Sequence, residues 1–282
     1  MVDIYSKVSE LRAAGKDVVV VTVTEKEGMG PADVGKKMLV TEGGFSIGTV
    51  GGGAIEHYAI EKCKELLATR ESLTEKYYLM DKQVQVDKGE VQLPMACGGK
   101  ATLFYEFIGP KQYVYIFGGG HCGAALTKLL KPLGFYTTVI DDRKEILDAL
   151  GDSADAKICE EFAGFFDIYG VHANSYIVVS TPSHTHDFDV LDKILEKKIK
   201  PKYFGMLCSK KKIGDYLDRV YAKYGKDIDL SNLYSPIGLP TGGDSPEEVA
   251  ISIASEILSV YYGKENRHLR DSVPDEIKYF KK

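Results

Sequence analysis

The chain has 282 residues, with 36 Lys and Arg against 41 Asp and Glu, giving a formal net charge of −5. At 44% hydrophobic and 27% charged residues it has the composition of a globular protein long enough for two domains with separate cores, which excludes disorder and collagen-like repetition. The acidic balance excludes a general nucleic-acid binder, which needs a basic face, and five scattered cysteines with no Cys-x-x-Cys pair exclude a zinc ribbon or disulfide scaffold. No apolar run approaches the roughly 20 residues that span a bilayer, and the amino terminus lacks a signal-peptide pattern. The expected compartment is therefore the cytoplasm, with reduced thiols and no membrane partner.

Ile4, Val8 and Leu11 share one helical face, and Gly15 stands where a helix stop belongs. A strand is predicted over 17–24, then a hairpin in which Lys37 to Val40 and Phe45 to Val50 flank Thr41-Glu42-Gly43-Gly44. Gly51, Gly52 and Gly53 lead into a helix that buries Ile55, Tyr58, Ala59, Cys63, Leu66 and Leu67. Strands around 73–80 and 101–108 follow, and Gly109-Pro110-Lys111 marks a boundary between domains 1–109 and 110–282. Beyond it, apolar strands at 113–117, 135–140, 175–180 and 202–207 alternate with helices at 121–133, 187–197 and 209–223. That alternation signifies a doubly wound parallel sheet. The fold class is α/β, a smaller α+β amino-terminal domain followed by a Rossmann-like domain with a polar tail after Gly263.

The strongest local motif is Gly118-x-Gly120-x-x-Gly123, between a predicted strand and helix. Such glycines permit a tight turn and close backbone approach, and the helix start offers N–H donors to a phosphate. Asp141 and Asp142 end the next strand, where a carboxylate would accept from a ribose diol; the alternative is a turn that only packs the helix on the sheet. His121 would contact an anion or metal, and Cys122 is either a thiolate favoured by the helix dipole or a buried filler. His184 and His186, two apart in a loop, would bind a metal or shuttle protons, with Asp187 orienting one ring or capping the next helix. Ser209 would cap a helix, with Lys210, Lys211 and Lys212 forming either a phosphate site or a solvated basic turn. Ser245-Pro246-Glu247-Glu248 reads as a capping box. In the first domain, Cys97 precedes Gly98 and Gly99, which leave a thiol accessible or, alternatively, mark a buried cysteine at a strand entry.

In order, these motifs resemble the XdhC/CoxI family of accessory proteins for xanthine dehydrogenase and related molybdenum hydroxylases. Gly35 to Val40, Gly51 to Glu56 and Ala96 to Gly99 are similar to the family's amino-terminal domain. Phe117 to His121, Asp141-Asp142-Arg143, Tyr203 to Met206, Ser209 to Lys212, Pro236 to Leu239 and Ser245 to Glu248 are similar to its Rossmann domain. The resemblance implies a maturation factor rather than an enzyme in its own right. Such a factor binds molybdenum cofactor (molybdopterin), protects it during sulfuration and inserts it into an apo xanthine dehydrogenase-type hydroxylase, with a sulfurtransferase or cysteine desulfurase as second partner and a homodimer as the working form. Carried onto this chain, the cofactor-binding set is Cys97, Gly98, Gly99, Gly51, Gly52, Gly53, Gly118, Gly120, His121, Gly123, Asp141, Ser209 and Lys210. Cys97 is then the thiol that faces the metal, and the cofactor is expected between the two domains. Ala54 stands where many members carry cysteine, so a two-cysteine site is not implied. The competing reading is an NAD(P)-dependent oxidoreductase using the Rossmann domain, with His184 or His186 as general acid. A third is a scaffold that recruits a sulfurtransferase without using Cys97.

Overall fold

The computed structural model describes residues 3–30, 32–80, 90–95 and 98–268, the side chains of Lys210 and Lys211 excepted. Cys97 therefore lies outside the described residues, as does the tail from residue 269. The chain divides into two compact units, Met1–Pro110 and Lys111–Lys282.

The first unit runs α1 (Ile4–Ala13), β1 (Val18–Gly28), β2 (Lys37–Thr41), β3 (Ser46–Gly48), α2 (Gly53–Thr69), β4 (Leu73–Leu79), β5 (Glu90–Leu93) and β6 (Gly99–Ile108). Its sheet has the order β3-β2-β1-β6-β4-β5. Every neighbouring pair is antiparallel except β4 and β5. Because side chains alternate across a strand, Val19, Val21 and Val23 face one side with Met38, Val40 and Tyr105, while Val18, Val20 and Leu39 face the other. Helix α2 closes the first face with Ile55, Ala59, Cys63, Leu66 and Leu67, and α1 closes the second with Ile4, Val8 and Leu11. The predicted apolar stripes of both helices are thus their buried faces. The predicted hairpin is β2 and β3, paired from Met38 with Gly48 to Val40 with Ser46. The short strand β5 is an addition to the elements expected from sequence.

The second unit runs β7 (Tyr113–Phe117), α3 (His121–Leu130), β8 (Tyr136–Asp141), α4 (Lys144–Ala149), β9 (Ala156–Cys159), α5 (Phe165–Ile168), β10 (Tyr176–Val179), α6 (His184–Glu196), β11 (Tyr203–Met206), α7 (Lys210–Tyr224), β12 (Leu233–Tyr234) and α8 (Pro246–Tyr262). All its strand pairs are parallel, in the order β12-β11-β10-β7-β8-β9. Counted from β7 as the first strand, this is the 3-2-1-4-5-6 order of a doubly wound dinucleotide-binding sheet, with the reversal between β7 and β10. Val114, Ile116, Tyr176 and Val178 pack against α3 and α8; Tyr115, Phe117, Ile177 and Val179 pack against α5, α6 and α7. Burial on both faces explains why these strands read as unbroken apolar runs.

Ser245 begins α8 as expected: its hydroxyl accepts from the Glu248 amide at 3.3 Å, and the Glu248 carboxylate accepts the Ser245 amide at 3.1 Å. Ser245→Ala is expected to cost about 1 kcal/mol, read as a lower unfolding midpoint in urea. Helix α6, by contrast, starts at His184 rather than near 187, because Ser183 is its cap and accepts from the His186 amide at 3.4 Å. No helix among the described residues is long and apolar enough to cross a membrane.

Candidate functional site

The glycine turn after β7 reaches the carboxyl end of the sheet at the point of strand reversal. Gly118 has φ +107, and a Cβ there would stand 2.3 Å from the Ser180 carbonyl oxygen, so only glycine lets this turn lie against the end of β10. A Cβ on Gly123 would come within 2.1 Å of the Gly118 carbonyl oxygen, which fixes how closely α3 packs on its own strand. Gly120 differs: it caps α3 with an ordinary φ of −61, and nothing lies within 4 Å of a Cβ built there. The start of α3 at Gly120 therefore borders free space, at the positive end of the helix, where an anion can approach the backbone. His121 is exposed at the first position of α3 and lines a pocket of about 360 Å³ with Ala124, Ala125, Lys128, Pro246 and Ile251.

Asp141 does not present its carboxylate to this opening. It is fully buried and receives the Gly119 amide at 2.8 Å, the Arg143 amide at 3.1 Å and the Arg143 guanidinium at 2.8 and 2.9 Å. Burial alone would raise its pKa, but the bonds from Arg143 and Gly119 outweigh that and hold it below the usual carboxylate range. The expected ribose contact is corrected accordingly: Asp141 secures the glycine turn from beneath, and the exposed carboxylate at this edge is its neighbour Asp142.

Cys122 is closer to the filler than to the thiolate, though it is half-buried rather than buried. It packs beside α3's core residues, and burial pushes its thiol up to about 11. At neutral pH the native protein is expected to lose exposed Cys159 to a maleimide well before Cys122, an order that peptide mass mapping reads directly.

Histidines 184 and 186 do not converge. Two residues apart on a helix they point to different sides: His186 lies against the Phe162 ring at 5.4 Å, whereas the His184 ring is bonded at Nε2 to the Lys212 ammonium, with its Nδ1 3.5 Å from Asp187. No three metal-ligating side chains stand together among the described residues. Asp187 is not a cap either. Its buried carboxylate accepts the Thr181 amide at 3.1 Å and the Thr181 hydroxyl at 2.6 Å, and burial raises its pKa against those bonds. Ser209 caps α7, accepting from the Lys212 amide at 3.4 Å, while Lys210 occupies the helix's first position. Sequence reasoning missed the link from Thr181 through Asp187 and His184 to Lys212, because its ends are 31 positions apart and meet only where α6 and α7 begin side by side.

In the first unit, Gly51, Gly52 and Gly53 all have positive φ, at 136, 78 and 65. They belong to the cofactor-binding set that the resemblance implies, but two of their amides are already engaged: that of Gly51 is given to the Thr49 hydroxyl at 3.0 Å and that of Gly52 to the Glu56 carboxylate at 3.0 Å. Glu56 also accepts from Thr49 at 2.6 Å and places a negative charge at the start of α2. This turn is closed by its own side chains. Gly53 stands next to Met95, whose methyl would lie 3.4 Å from a Cβ there. Gly98 is exposed at φ +60, and Gly99 passes so near the Met29 carbonyl that a Cβ would approach it to 2.3 Å.

Comparison with known proteins decides the family. Residues 114–257 match the XdhC Rossmann domain and residues 11–78 match the XdhC and CoxI family. The chain belongs to the XdhC and CoxI family. An Escherichia coli relative, the uncharacterized protein YqeB, is 25% identical over 260 residues, 92% of this chain and 46% of its own length. A Bacillus subtilis relative, named as a probable xanthine dehydrogenase component, is 28% identical over 158 residues, 56% of this chain and 45% of its own. This XdhC and CoxI chain thus spans less than half the length of either relative. A Bacillus halodurans protein whose crystal structure is described as a xanthine dehydrogenase shares the fold, with a TM-score of 0.50 at 20% identity over 93% of this chain and 96% of that one.

Proposed function

We propose that this chain is an accessory protein for a xanthine dehydrogenase-type molybdenum hydroxylase, and that its cargo is the molybdenum cofactor. The observation that carries the reading is the Gly118–Gly123 turn, open above Gly120 at the strand reversal, in a chain of the XdhC and CoxI family. That turn fits the phosphate of a pterin: the first-turn amides of α3 donate to it, and Gly120 lets it reach them. The run at Gly51 to Gly53 is a poorer seat, because Glu56 already holds it. Cys97 would supply a soft thiolate suited to holding molybdenum, and a sulfurtransferase is the second partner that this reading implies. The chain's own part is to hold the cargo away from solvent and release it to the apo-hydroxylase.

The oxidoreductase reading loses Asp141 as its ribose acceptor, since Arg143 and Gly119 occupy that carboxylate. Reconstitution separates the two. Adding the full chain with cofactor to an apo-hydroxylase is expected to raise recovered activity several-fold, and Cys97→Ser is expected to lower it. Recovery unchanged by the chain would overturn the reading, and full recovery with Cys97→Ser would move the role to a scaffold.

A further inference from the structure

We propose that Lys212 and His184, held by Asp187, form a second phosphate-binding position of the Rossmann unit, at the ends of β10 and β11 rather than on the glycine turn. Its ligand class is a phosphate monoester or pyrophosphate group. An ammonium can only donate, so the His184 Nε2 bonded to Lys212 is the acceptor, and the ring hydrogen sits on Nδ1, toward Asp187. This leaves two Lys212 N–H donors unused by the imidazole. Among the described residues, the carboxylate paired with this group is that of Asp187. It is 4% exposed and already receives Thr181 and His184, whereas the His184 side chain is 50% exposed. The basic side chains of this corner are therefore part-exposed, and its carboxylate is buried. The starts of α6 and α7, capped by Ser183 and Ser209, add positive potential on both sides. That combination favours an anion over a cation or a neutral ligand.

A phosphate oxygen would take the Lys212 donors in place of the His184 Nε2. Thr181 joins this corner to the other site: its Cα lies 3.1 Å from where a Gly118 Cβ would stand. Among the described side chains, the charged and titratable groups around His184 are Asp187 from its own helix and Lys212 from α7, with the half-buried Cys208 thiol near both; Asp187 raises that thiol's pKa and Lys212 lowers it, beneath a larger effect of burial.

The test is a titration of the full chain, labelled with nitrogen-15 in histidine and backbone, with inorganic pyrophosphate at constant ionic strength. The His184 ring nitrogen signals should shift saturably as pyrophosphate takes the place of Nε2 on Lys212. Lys212→Met should weaken the binding at His184 about tenfold or more, as expected for a lost charge-assisted bond, with the melting temperature unchanged. Lys212→Arg should retain much of it, and His184→Asn, which also identifies the ring signals, should weaken binding like Lys212→Met when it is followed at the Lys212 backbone amide. Shifts confined to the Gly119 and Gly120 amides, or unaltered binding in Lys212→Met or His184→Asn, would overturn the proposal. Repeating the titration with NAD and with a pterin phosphate tells which source of phosphate fills the position. No pterin enters the deciding experiment, so its failure leaves the cofactor-carrier reading intact, and the reverse holds as well.

Discussion

Replacing Gly118 with alanine is expected to destabilise the Rossmann unit by about 3 to 5 kcal/mol. Two costs combine. At φ +107 an L side chain is strained, and the new methyl would stand 2.3 Å from the Ser180 carbonyl oxygen and 2.7 Å from its carbon. Both obstructing atoms are backbone at the end of a central strand, so neither can move without disturbing the pairing of β10 with β7. Gly120→Ala is the matched control. Its φ is ordinary and its surroundings are empty, so only the weaker capping preference of alanine is lost, about 1 kcal/mol or less. Hydrogen exchange of the Tyr113–Phe117 amides reports this unit by itself and should show the contrast. The control carries functional information too, since its methyl covers the approach to the α3 amides without unfolding the turn. Gly120→Ala should therefore weaken phosphate binding at the turn while Gly118→Ala removes the turn.

Asp141→Asn should cost about 2 to 3 kcal/mol, less than a fully buried pair because Arg143 is 37% exposed and water screens part of the loss. The amide keeps the shape but gives up one of the two oxygens, and with it one guanidinium bond and one backbone-amide bond, and its NH2 turns a donor toward the N–H groups it replaces an acceptor for. The pH dependence follows from the direction of the shift. The folded pKa lies below the 3.8 of an ordinary aspartate, so the unfolded state binds the proton more readily. The stabilisation is therefore complete above the unfolded value and disappears as pH falls through the depressed folded one. Urea unfolding of both proteins should show a constant gap near neutrality that closes in acid below about pH 4. A gap that persisted in acid would mean that the hydrogen-bond pattern, and not the charge, is what Asp141 contributes.

Most of the Rossmann unit was legible because its central strands are buried on both faces and flanked by punctuation that only a few conformations satisfy. The fingerprint glycines at 118 and 123 and the Ser245 box each carry a geometric requirement in their residue type, and the structure shows both. The edge strands were not legible. Ala156–Cys159 alternates half-buried with exposed, and Leu233–Tyr234 is two residues long, so neither has an apolar run long enough to stand out. Ser183 was overlooked as a helix cap because His184, Thr185 and His186 separate it from the apolar positions Val190, Leu191 and Ile194. The roles of Asp141 and Glu56 were hidden for another reason. Each carboxylate stands where a ligand contact or an open amide would be read from spacing, and only the folded chain shows that Arg143, Gly119, Thr49 and Gly52 have claimed it.

The central claim, that this XdhC and CoxI chain carries molybdenum cofactor, is tested most directly by what the protein holds when it leaves the cell. Full chain purified anaerobically under reducing conditions, from cells with active cofactor synthesis, should release molybdopterin or its nucleotide form near one per chain on denaturing mass spectrometry. The Gly120→Ala protein should release less. Protein that releases only NAD or NADP, or that leaves the cell empty and gives no help to an apo-hydroxylase, would contradict the claim.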